Sequence, residues 1–202
     1  MAGSVRVLGG VARGRRLGVP SGGAARPTRA MVREAVFDMV ASAGGIDGCR
    51  VADLFAGSGA VGIEALSRGA GQVTFVDSDP RAVAAVRANL GVLGPLAGLG
   101  LVVQADVFAW LGRQAGGSAG GEESGGFELV FCDPPYAFGG WGDLFDRIER
   151  VVVPGALVVA ESSRPIEAPA HWGSVRARGY GSSVLSIVRT PNPASTLPEG
   201  PR

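Results

Sequence analysis

Residues 51–62 read VADLFAGSGAVG, and the fold class is predicted from them. The apolar run from Val51 to Phe55 predicts a β-strand, and the pattern from Gly59 to Arg68 predicts a helix directly after it. The turn between them contains the pattern G-x-G-x-x-G, whose glycines let the backbone come close to a ligand. A strand, a glycine turn and a helix in this order are typical of the first unit of a doubly wound α/β sheet.

The same alternation of strand and helix continues towards the carboxyl end of the chain. Further strands are predicted at 73–77, 101–104, 127–132 and 157–161, helices at 80–93, 107–111 and 141–150, and a closing hairpin at 175–180 and 184–189. The alternation predicts a Rossmann-like, doubly wound and mostly parallel sheet that binds ligands at the carboxyl ends of its strands. In this order the first and fourth strands are neighbours, so Asp53 and Asp133 face the same crevice. Residues 114–126, rich in Gly, Ser and Glu, predict a loop.

A small basic extension precedes this domain. Residues 1–45 are predicted to form a β-hairpin and a helix at about 30–41, with Thr28 as its candidate N-cap. Residues 46–189 form the α/β domain. Residues 190–202 contain four prolines and are predicted to be a disordered tail.

Positive charge is concentrated in the extension. Seven arginines and no acidic residue precede Glu34, although the net charge of the whole chain is only +1. Guanidinium groups bind phosphates in a bidentate manner, so Arg13, Arg15 and Arg16 are candidate RNA contacts. The alternative is a solvated turn, with arginine enriched by genome composition, because the chain has no lysine and many Gly and Ala residues.

Composition excludes several classes of protein. The 202 residues are 46% hydrophobic, which is typical of a globular domain, and no apolar run is long enough to cross a bilayer. The amino-terminal residues lack the pattern of a signal peptide, so a cytoplasmic protein is expected. Cys49 and Cys132 lie at opposite ends of neighbouring predicted strands, which argues against a disulfide. With His171 as the single histidine, no metal site is predicted.

The glycine turn and the acids around it predict an adenosine-bearing ligand. Asp77 follows Gly57 by twenty residues and ends the second strand, where a carboxylate accepts hydrogen bonds from ribose hydroxyls. This pattern does not separate a nicotinamide cofactor from S-adenosylmethionine. Asp53 favours the second, because a carboxylate before the turn would repel pyrophosphate but could bind the amino group of a methionine moiety. Asp106 could accept from an adenine amino group; capping of the adjacent helix or turn is the alternative for all three acids.

A second motif, FCDPPY at residues 131–136, ends the fourth strand. Pro134 and Pro135 lack an N–H group and fix φ, so the chain leaves the strand in a stiff corner. The Asp133 carboxylate and the Pro134 carbonyl are acceptors for the amino group of a planar molecule. Tyr136 is expected to stack on that molecule; packing against the helix that begins at Trp141 is the alternative.

Four stretches together resemble the RsmD family of bacterial S-adenosylmethionine-dependent methyltransferases. They are residues 53–69, Gly14–Leu17, the segment from Arg26-Pro27-Thr28 to Phe37, and Asp133–Tyr136. The resemblance covers about residues 5–189. It implies methylation of the N2 amino group of one guanine in 16S ribosomal RNA, with the base flipped into the Asp-Pro-Pro-Tyr clamp.

The family resemblance also implies a role for each candidate residue. Gly57 and Gly59 would let the cofactor approach, Asp77 would hold the ribose, Asp106 would lie near the adenine, and Thr28 would lie near the methionine carboxylate. Family members commonly carry Glu at the position of Asp77, so its reach is shorter here. More polar residues also commonly replace Arg29-Ala30-Met31, which leaves the role of Arg29 open.

Three other functions remain open at the level of sequence. A DNA or RNA adenine-N6 methyltransferase would use the same clamp, although the chain has little room for a separate target-recognition domain. A nicotinamide oxidoreductase would use the same glycine pattern. A non-catalytic RNA-binding or ribosome-assembly protein could retain the fold. The expected partner is 16S ribosomal RNA, free or within a small subunit or assembly intermediate, and the expected state is a monomer.

Overall fold

The computed structural model describes residues 3–20, 27–116, 125–135 and 138–192, with only the backbone described for 27–29 and 116. The elements in chain order are β1 (Gly3–Arg6), β2 (Arg16–Val19), α1 (Pro27–Ser42), β3 (Arg50–Leu54), α2 (Ala60–Ser67), β4 (Gln72–Asp77), α3 (Pro80–Gly91), a 3-10 helix (Gly94–Leu99), β5 (Gly100–Gln104), α4 (Val107–Gly116), β6 (Phe127–Cys132), α5 (Trp141–Glu149), β7 (Val152–Ser162), β8 (Gly173–Tyr180) and β9 (Ser183–Arg189).

The central sheet has seven strands in the order β5-β4-β3-β6-β7-β9-β8. Strands β3 to β7 are parallel, and β9 runs antiparallel to both β7 and β8. The prediction that the first and fourth strands are neighbours is confirmed, because β3 pairs with β6 and Leu54 lies opposite Cys132. Asp133 is exposed beside these strand ends, whereas Asp53 is buried, so the expected shared crevice is lined by Asp133 and not by Asp53. The doubly wound, mostly parallel fold class is confirmed.

Alternating side chains of the sheet build two apolar cores, one on each face. On β3, Val51 belongs to the core beneath α1, α2 and α3, whereas Ala52 and Leu54 belong to the core beneath α4 and α5. Strand side chains alternate in direction with a period of two, so Asp53 points to the same face as Val51. Asp133 directly follows Cys132, the last residue of β6, at the carboxyl end of this strand.

The amino-terminal hairpin of β1 and β2 is fastened to α2 by buried polar contacts. The Glu64 carboxylate is completely buried and accepts hydrogen bonds from the N–H groups of Leu8 and Gly9, both at 2.7 Å. Ser67 Oγ donates to the Gly9 carbonyl at 2.6 Å. Gly10 has a φ of 72°, and a Cβ there would lie 1.7 Å from the Ser67 carbonyl oxygen, so only glycine fits this contact.

Several predicted boundaries are wrong. Strand β7 begins at Val152 rather than 157, because the Pro154-Gly155 pair sits beside a register shift in its pairing with β6 and does not end the strand. Helix α4 extends to Gly116, so its last turn occupies the start of the predicted 114–126 loop. Helix α1 begins at Pro27, a residue suited to the first helical position, so Thr28 lies inside the first turn rather than at the cap.

The residues that follow β9 are hydrogen-bonded to β7. Thr190 N–H donates to the Ala156 carbonyl at 2.9 Å, and the Pro191 carbonyl accepts from Gly155 N–H at 3.0 Å, so hydrogen-bonded chain enters the segment predicted as a tail. Residues 193–202 lie outside the described chain. Cys49 and Cys132 are free thiols. None of the helices in the described ranges is long and apolar enough to span a bilayer.

Candidate active site

The glycine turn after β3 has a strained backbone. Phe55 adopts a φ of 61°, which is unusual for a residue with a side chain, and Gly57 and Gly59 have φ values of 56° and 73°. A non-glycine residue in this region typically costs about 1–3 kcal/mol and often marks a functional site. The third glycine of the motif, Gly62, is needed for space, because a Cβ there would lie 2.3 Å from the Phe75 ring.

Asp53 lies beneath this turn with only 4% of its surface exposed. Its Oδ2 atom accepts a hydrogen bond from Gly62 N–H at 2.9 Å. The pKa of the Asp53 carboxyl is raised to about 8, mainly by burial; the Gly62 hydrogen bond opposes this shift, and the charges of Asp133 and Asp77 contribute to it. Asp53 therefore makes the capping contact with the turn that the sequence allowed as an alternative to ligand binding. A cation close to this buried carboxyl would strongly favour its ionised form.

Asp77 joins the end of β4 to the same turn. Its Oδ2 atom accepts from Gly57 N–H at 2.8 Å, and its Oδ1 atom accepts from Asp79 N–H at 2.9 Å. A carboxylate has about four acceptor positions, so both oxygens can still accept from ribose hydroxyls. Asp79, in turn, caps α3 by accepting from Arg81 N–H at 2.8 Å.

Asp106 follows β5 and is exposed. Its Oδ1 atom accepts a hydrogen bond from Ala109 N–H at 2.9 Å, which is the N-terminal cap of α4. The capping contact that the sequence allowed is therefore present. The contact with adenine remains a prediction.

A cleft with about 750 Å³ of empty space, including its opening to solvent, lies beside the glycine turn. It lies between the turn, the inner side of α1 and the carboxyl ends of β6 and β7. Its described lining consists of Val5, Val19, Val32, Arg33, Val36, Phe55, Ala56, Gly57, Ser58, Ala60, Val61, Asp133 and Glu161. Of the predicted cofactor residues with described side chains, Gly57 lines the cleft directly, whereas Asp53, Gly59, Asp77 and Asp106 do not.

A second cavity of about 350 Å³ lies on the other side of the Asp133 corner. Pro134, Pro135, Phe138 and Trp141 form its apolar side. Its polar side is formed by Asp133, Glu161, Ser162, Ser163, Arg164 and Ser183. Asp133 and Glu161 line both cavities, so these two side chains stand where the cavities meet.

The corner after β6 is held by one turn hydrogen bond. Pro134 is buried, Asp133 is exposed, and the Pro135 carbonyl accepts from Phe138 N–H at 2.9 Å. Tyr136 lies outside the residues that the structure describes, as does the side chain of Thr28. Their roles remain predictions.

The three candidate RNA-binding arginines, Arg13, Arg15 and Arg16, are exposed on the hairpin between β1 and β2 or at its end. Arg15 Nη1 donates to the carbonyl of Val92. The structure places these arginines on the extension and does not bring them to the lining of either cavity.

Sequence reasoning missed two charged residues of the cleft. Arg33 is 6% exposed, lies 3.7 Å from Glu64 through its Nε atom, and donates from Nη2 to the Arg6 carbonyl at 2.6 Å. Burial lowers the pKa of Arg33, and the Glu64 charge opposes this shift. Glu161 is the penultimate residue of β7, and its position at the carboxyl end of a parallel strand was the signal that could have identified it.

The strand order, the glycine turn and the cleft at the carboxyl ends of β3 and β6 define a Rossmann-like domain of the class I S-adenosylmethionine-dependent methyltransferase type. The family model described as conserved hypothetical protein 95 matches residues 5–189, and the chain belongs to this family. The resemblance seen in the sequence motifs is thereby confirmed.

Curated relatives agree with this assignment. Ribosomal RNA small subunit methyltransferase D of Escherichia coli strain K12 is 32% identical over 195 residues, covering 93% of this chain and 91% of the relative. The protein of the same name from Haemophilus influenzae is 29% identical and covers 89% of this chain and 90% of the relative. Both of these relatives are named as ribosomal RNA methyltransferases.

Solved structures agree as well. The structure of yhhF from Escherichia coli is 30% identical with a TM-score of 0.78, covering 94% of this chain and 99% of that chain. SMU.776, solved in complex with SAH, is 14% identical with a TM-score of 0.64, covering 81% of this chain and 49% of that chain. At this identity the second likeness shows the fold alone.

Proposed function

We propose that this protein transfers a methyl group from S-adenosylmethionine to the exocyclic N2 amine of one guanine in 16S ribosomal RNA. One observation carries the proposal: Asp133 lines both the cleft beside the glycine turn and the second cavity beside it. A methyltransferase needs a group at such a junction, because methyl donor and acceptor must meet in line there.

The glycine turn and the acids around it would hold S-adenosylmethionine beside the first cleft. Gly57 and Gly59 have left-handed backbone conformations that form the turn beside the cleft. Asp77 accepts a hydrogen bond from Gly57 N–H in this turn and retains acceptor positions for ribose hydroxyls. Asp53 would stabilise the methionine amino group, directly or through water. Thr28 and Asp106 would contact the methionine carboxylate and the adenine. When bound, the cofactor supplies an electrophilic methyl group.

The residues of the clamp would prepare the acceptor amine. The guanine amino group is a poor nucleophile because its lone pair is delocalised into the ring. The Asp133 carboxylate and the Pro134 carbonyl would accept hydrogen bonds from the two N–H groups of this amine, which would direct its lone pair towards the methyl group. Orientation of this kind can supply up to about 7–11 kcal/mol of a barrier, and the proton can leave after charge has formed on nitrogen.

The target base must leave its stack to reach this junction, at a cost of a few kcal/mol. Tyr136 would stack on the extruded base. Phe138 and Trp141 line the second cavity and give it the flat apolar side that a base requires. The Arg13, Arg15 and Arg16 side chains would bind backbone phosphates of the RNA, which position a substrate without reading its sequence.

The partner proposed is 16S ribosomal RNA, free or within a small subunit or assembly intermediate, bound by a monomer of this chain. Such a substrate places the reaction in the cytoplasm. The rival function, adenine-N6 methylation, would use the same clamp and is separated from this proposal by the position of the new methyl group.

The test is transfer of labelled methyl groups from S-adenosylmethionine to small ribosomal subunits that lack the modification, followed by mapping of the modified nucleotide. One N2-methylguanine per subunit is expected. Asp133→Asn keeps the size of the side chain but removes its charge, and should lower turnover while S-adenosylmethionine binding changes little. A methyl group on adenine N6, or near-normal turnover by the Asp133 variant, would contradict the proposal.

A further inference from the structure

Glu161 is the side chain that stands beside Asp133 across the sheet. In the parallel pair β6 and β7, Cys132, the last residue of β6, lies opposite Ala160, and Asp133 and Glu161 follow these two residues in the chain. Phe131 and Val159, two residues earlier, both belong to the core beneath α1. By alternation Glu161 points to the face of the core beneath α1, and it lines both cavities together with Asp133.

The orientation of Glu161 is fixed by a partly buried hydrogen bond. Ser183 Oγ at the start of β9 donates to Glu161 Oε1 at 2.7 Å, and Ser183 is only 7% exposed. This bond occupies one of about four acceptor positions of the carboxylate. The remaining positions are available to a ligand at the junction of the two cavities, which Glu161 lines together with Asp133.

The Watson–Crick edges of the purines differ in a way that this pair of carboxylates can read. Guanine carries adjacent N1–H and N2–H donors on one edge. Adenine, next to its amino group, presents N1 as an acceptor, and so does 2-aminopurine, which keeps an amino group at C2. A carboxylate accepts from N1–H but repels a nitrogen lone pair.

We propose that Glu161 selects guanine by accepting a hydrogen bond from N1–H while Asp133 holds the N2 amine. This inference rests on the proposed function and adds a residue that distinguishes guanine from adenine. Asp133 alone cannot make this distinction, because an exocyclic amino group is present in both bases. Ser183 acts as a positioning residue for Glu161.

The test compares guanine with 2-aminopurine at the mapped target position of a ribosomal RNA fragment. For the wild-type protein, kcat/KM should be about 10- to 100-fold lower on 2-aminopurine, as expected for loss of a hydrogen bond to a charged group. Glu161→Gln supplies an amide N–H that can donate to N1 of 2-aminopurine. This variant should lose activity on guanine and gain it on 2-aminopurine, so that the preference falls by at least about tenfold.

Control variants separate selection from other effects. Glu167→Gln is the same substitution at an exposed glutamate that lines neither cavity, and should keep the wild-type preference. Ser183→Ala should weaken the preference for guanine less than Glu161→Gln does. S-adenosylmethionine affinity and melting temperature are measured for every variant to verify that folding and cofactor binding persist.

Two outcomes would overturn the inference and leave the proposed function standing. In the first, Glu161→Gln methylates guanine and 2-aminopurine in the wild-type ratio. In the second, it loses activity on both equally and binds S-adenosylmethionine correspondingly more weakly, which would assign Glu161 to the cofactor. Absence of any transfer to guanine by the wild-type protein would instead refute the proposed function itself.

Discussion

The Oδ2 atom of Asp53 accepts a hydrogen bond from the backbone N–H of Gly62 at 2.9 Å. This contact joins the carboxyl end of β3 to the first turn of α2 across the glycine turn. It also places a carboxyl group in an almost fully buried position, where burial raises its pKa to about 8. The same residue therefore serves the fold and has unusual protonation chemistry.

The raised pKa of Asp53 predicts a pH-dependent stability difference between wild type and Asp53→Asn. In the folded state the carboxyl keeps its proton up to about pH 8, whereas its ordinary pKa is 3.8. Between these values the folded state binds more protons than the unfolded state, so this group's contribution falls as pH rises. The asparagine variant keeps an acceptor for Gly62 and lacks this titration. Its free energy of unfolding should increase relative to wild type between about pH 4 and pH 8 and then level off.

Urea denaturation of both proteins over this pH range measures that difference. All other titrating groups are common to the two proteins, so their contributions cancel to first order. A difference that stays constant with pH would show that Asp53 is ionised throughout and that its burial is compensated by other contacts.

A methyl group added at Gly62 is expected to lower the stability of the protein. A Cβ at this position would lie 2.3 Å from the Phe75 ring and 2.9 Å from Asp53 Oδ2, and both neighbours are buried. Gly62→Ala should therefore destabilise the protein by about 1–3 kcal/mol. Gly91→Ala is the matched control in α3, where an added Cβ meets nothing within 4 Å and should be neutral or stabilising. Thermal unfolding compares the two, and equal melting temperatures would refute the close packing of α2 on β4.

The adjacency of the strand ends that carry Asp53 and Asp133 could be predicted from the sequence, because it follows from strand periodicity and sheet topology. Strand periodicity locates β3 and β6, and the topology of doubly wound sheets makes them neighbours. The Pro134-Pro135 pair fixes the corner after β6 without help from the rest of the fold.

The position of Glu161 at the carboxyl end of a parallel strand made it a possible site residue, but its surroundings, and those of Glu64, could not be predicted because distant parts of the chain form them. Glu161 gains its significance from the second cavity, which requires the turn through Phe138 and the return of β9 with Ser183. Glu64 of α2 is buried in contacts with the loop at Leu8 and with Arg33 and Arg68. Contacts between residues 55 or more positions apart leave no periodic signal in either segment.

Glu64 predicts that the amino-terminal hairpin depends on one buried carboxylate. It accepts from two backbone N–H groups and from Arg68 Nε at 2.8 Å, with Arg33 at 3.7 Å. Glu64→Gln should cost about 3–5 kcal/mol, because it removes the negative charge beside the buried Arg33 and replaces one acceptor oxygen with an NH2 group that faces a donor. Asp143→Asn breaks an exposed pair with Arg147 and should cost less than about 1 kcal/mol. Denaturation gives both costs, and hydrogen exchange at Leu8 and Gly9 should accelerate in the Glu64 variant alone.

We expect a salt-dependent contribution to RNA binding from Arg13, Arg15 and Arg16. Replacing all three with glutamine should weaken binding and reduce the slope of log K against log salt by up to about 2–3, because each phosphate contact releases condensed counterions. The matched control replaces three arginines exposed elsewhere, Arg87, Arg113 and Arg150, which changes net charge equally. Filter binding of a 16S ribosomal RNA fragment at several salt concentrations gives the slopes. Equal losses in the two triple variants would show that the extension acts only through net charge, and an unchanged slope in the first would show that its arginines serve the fold.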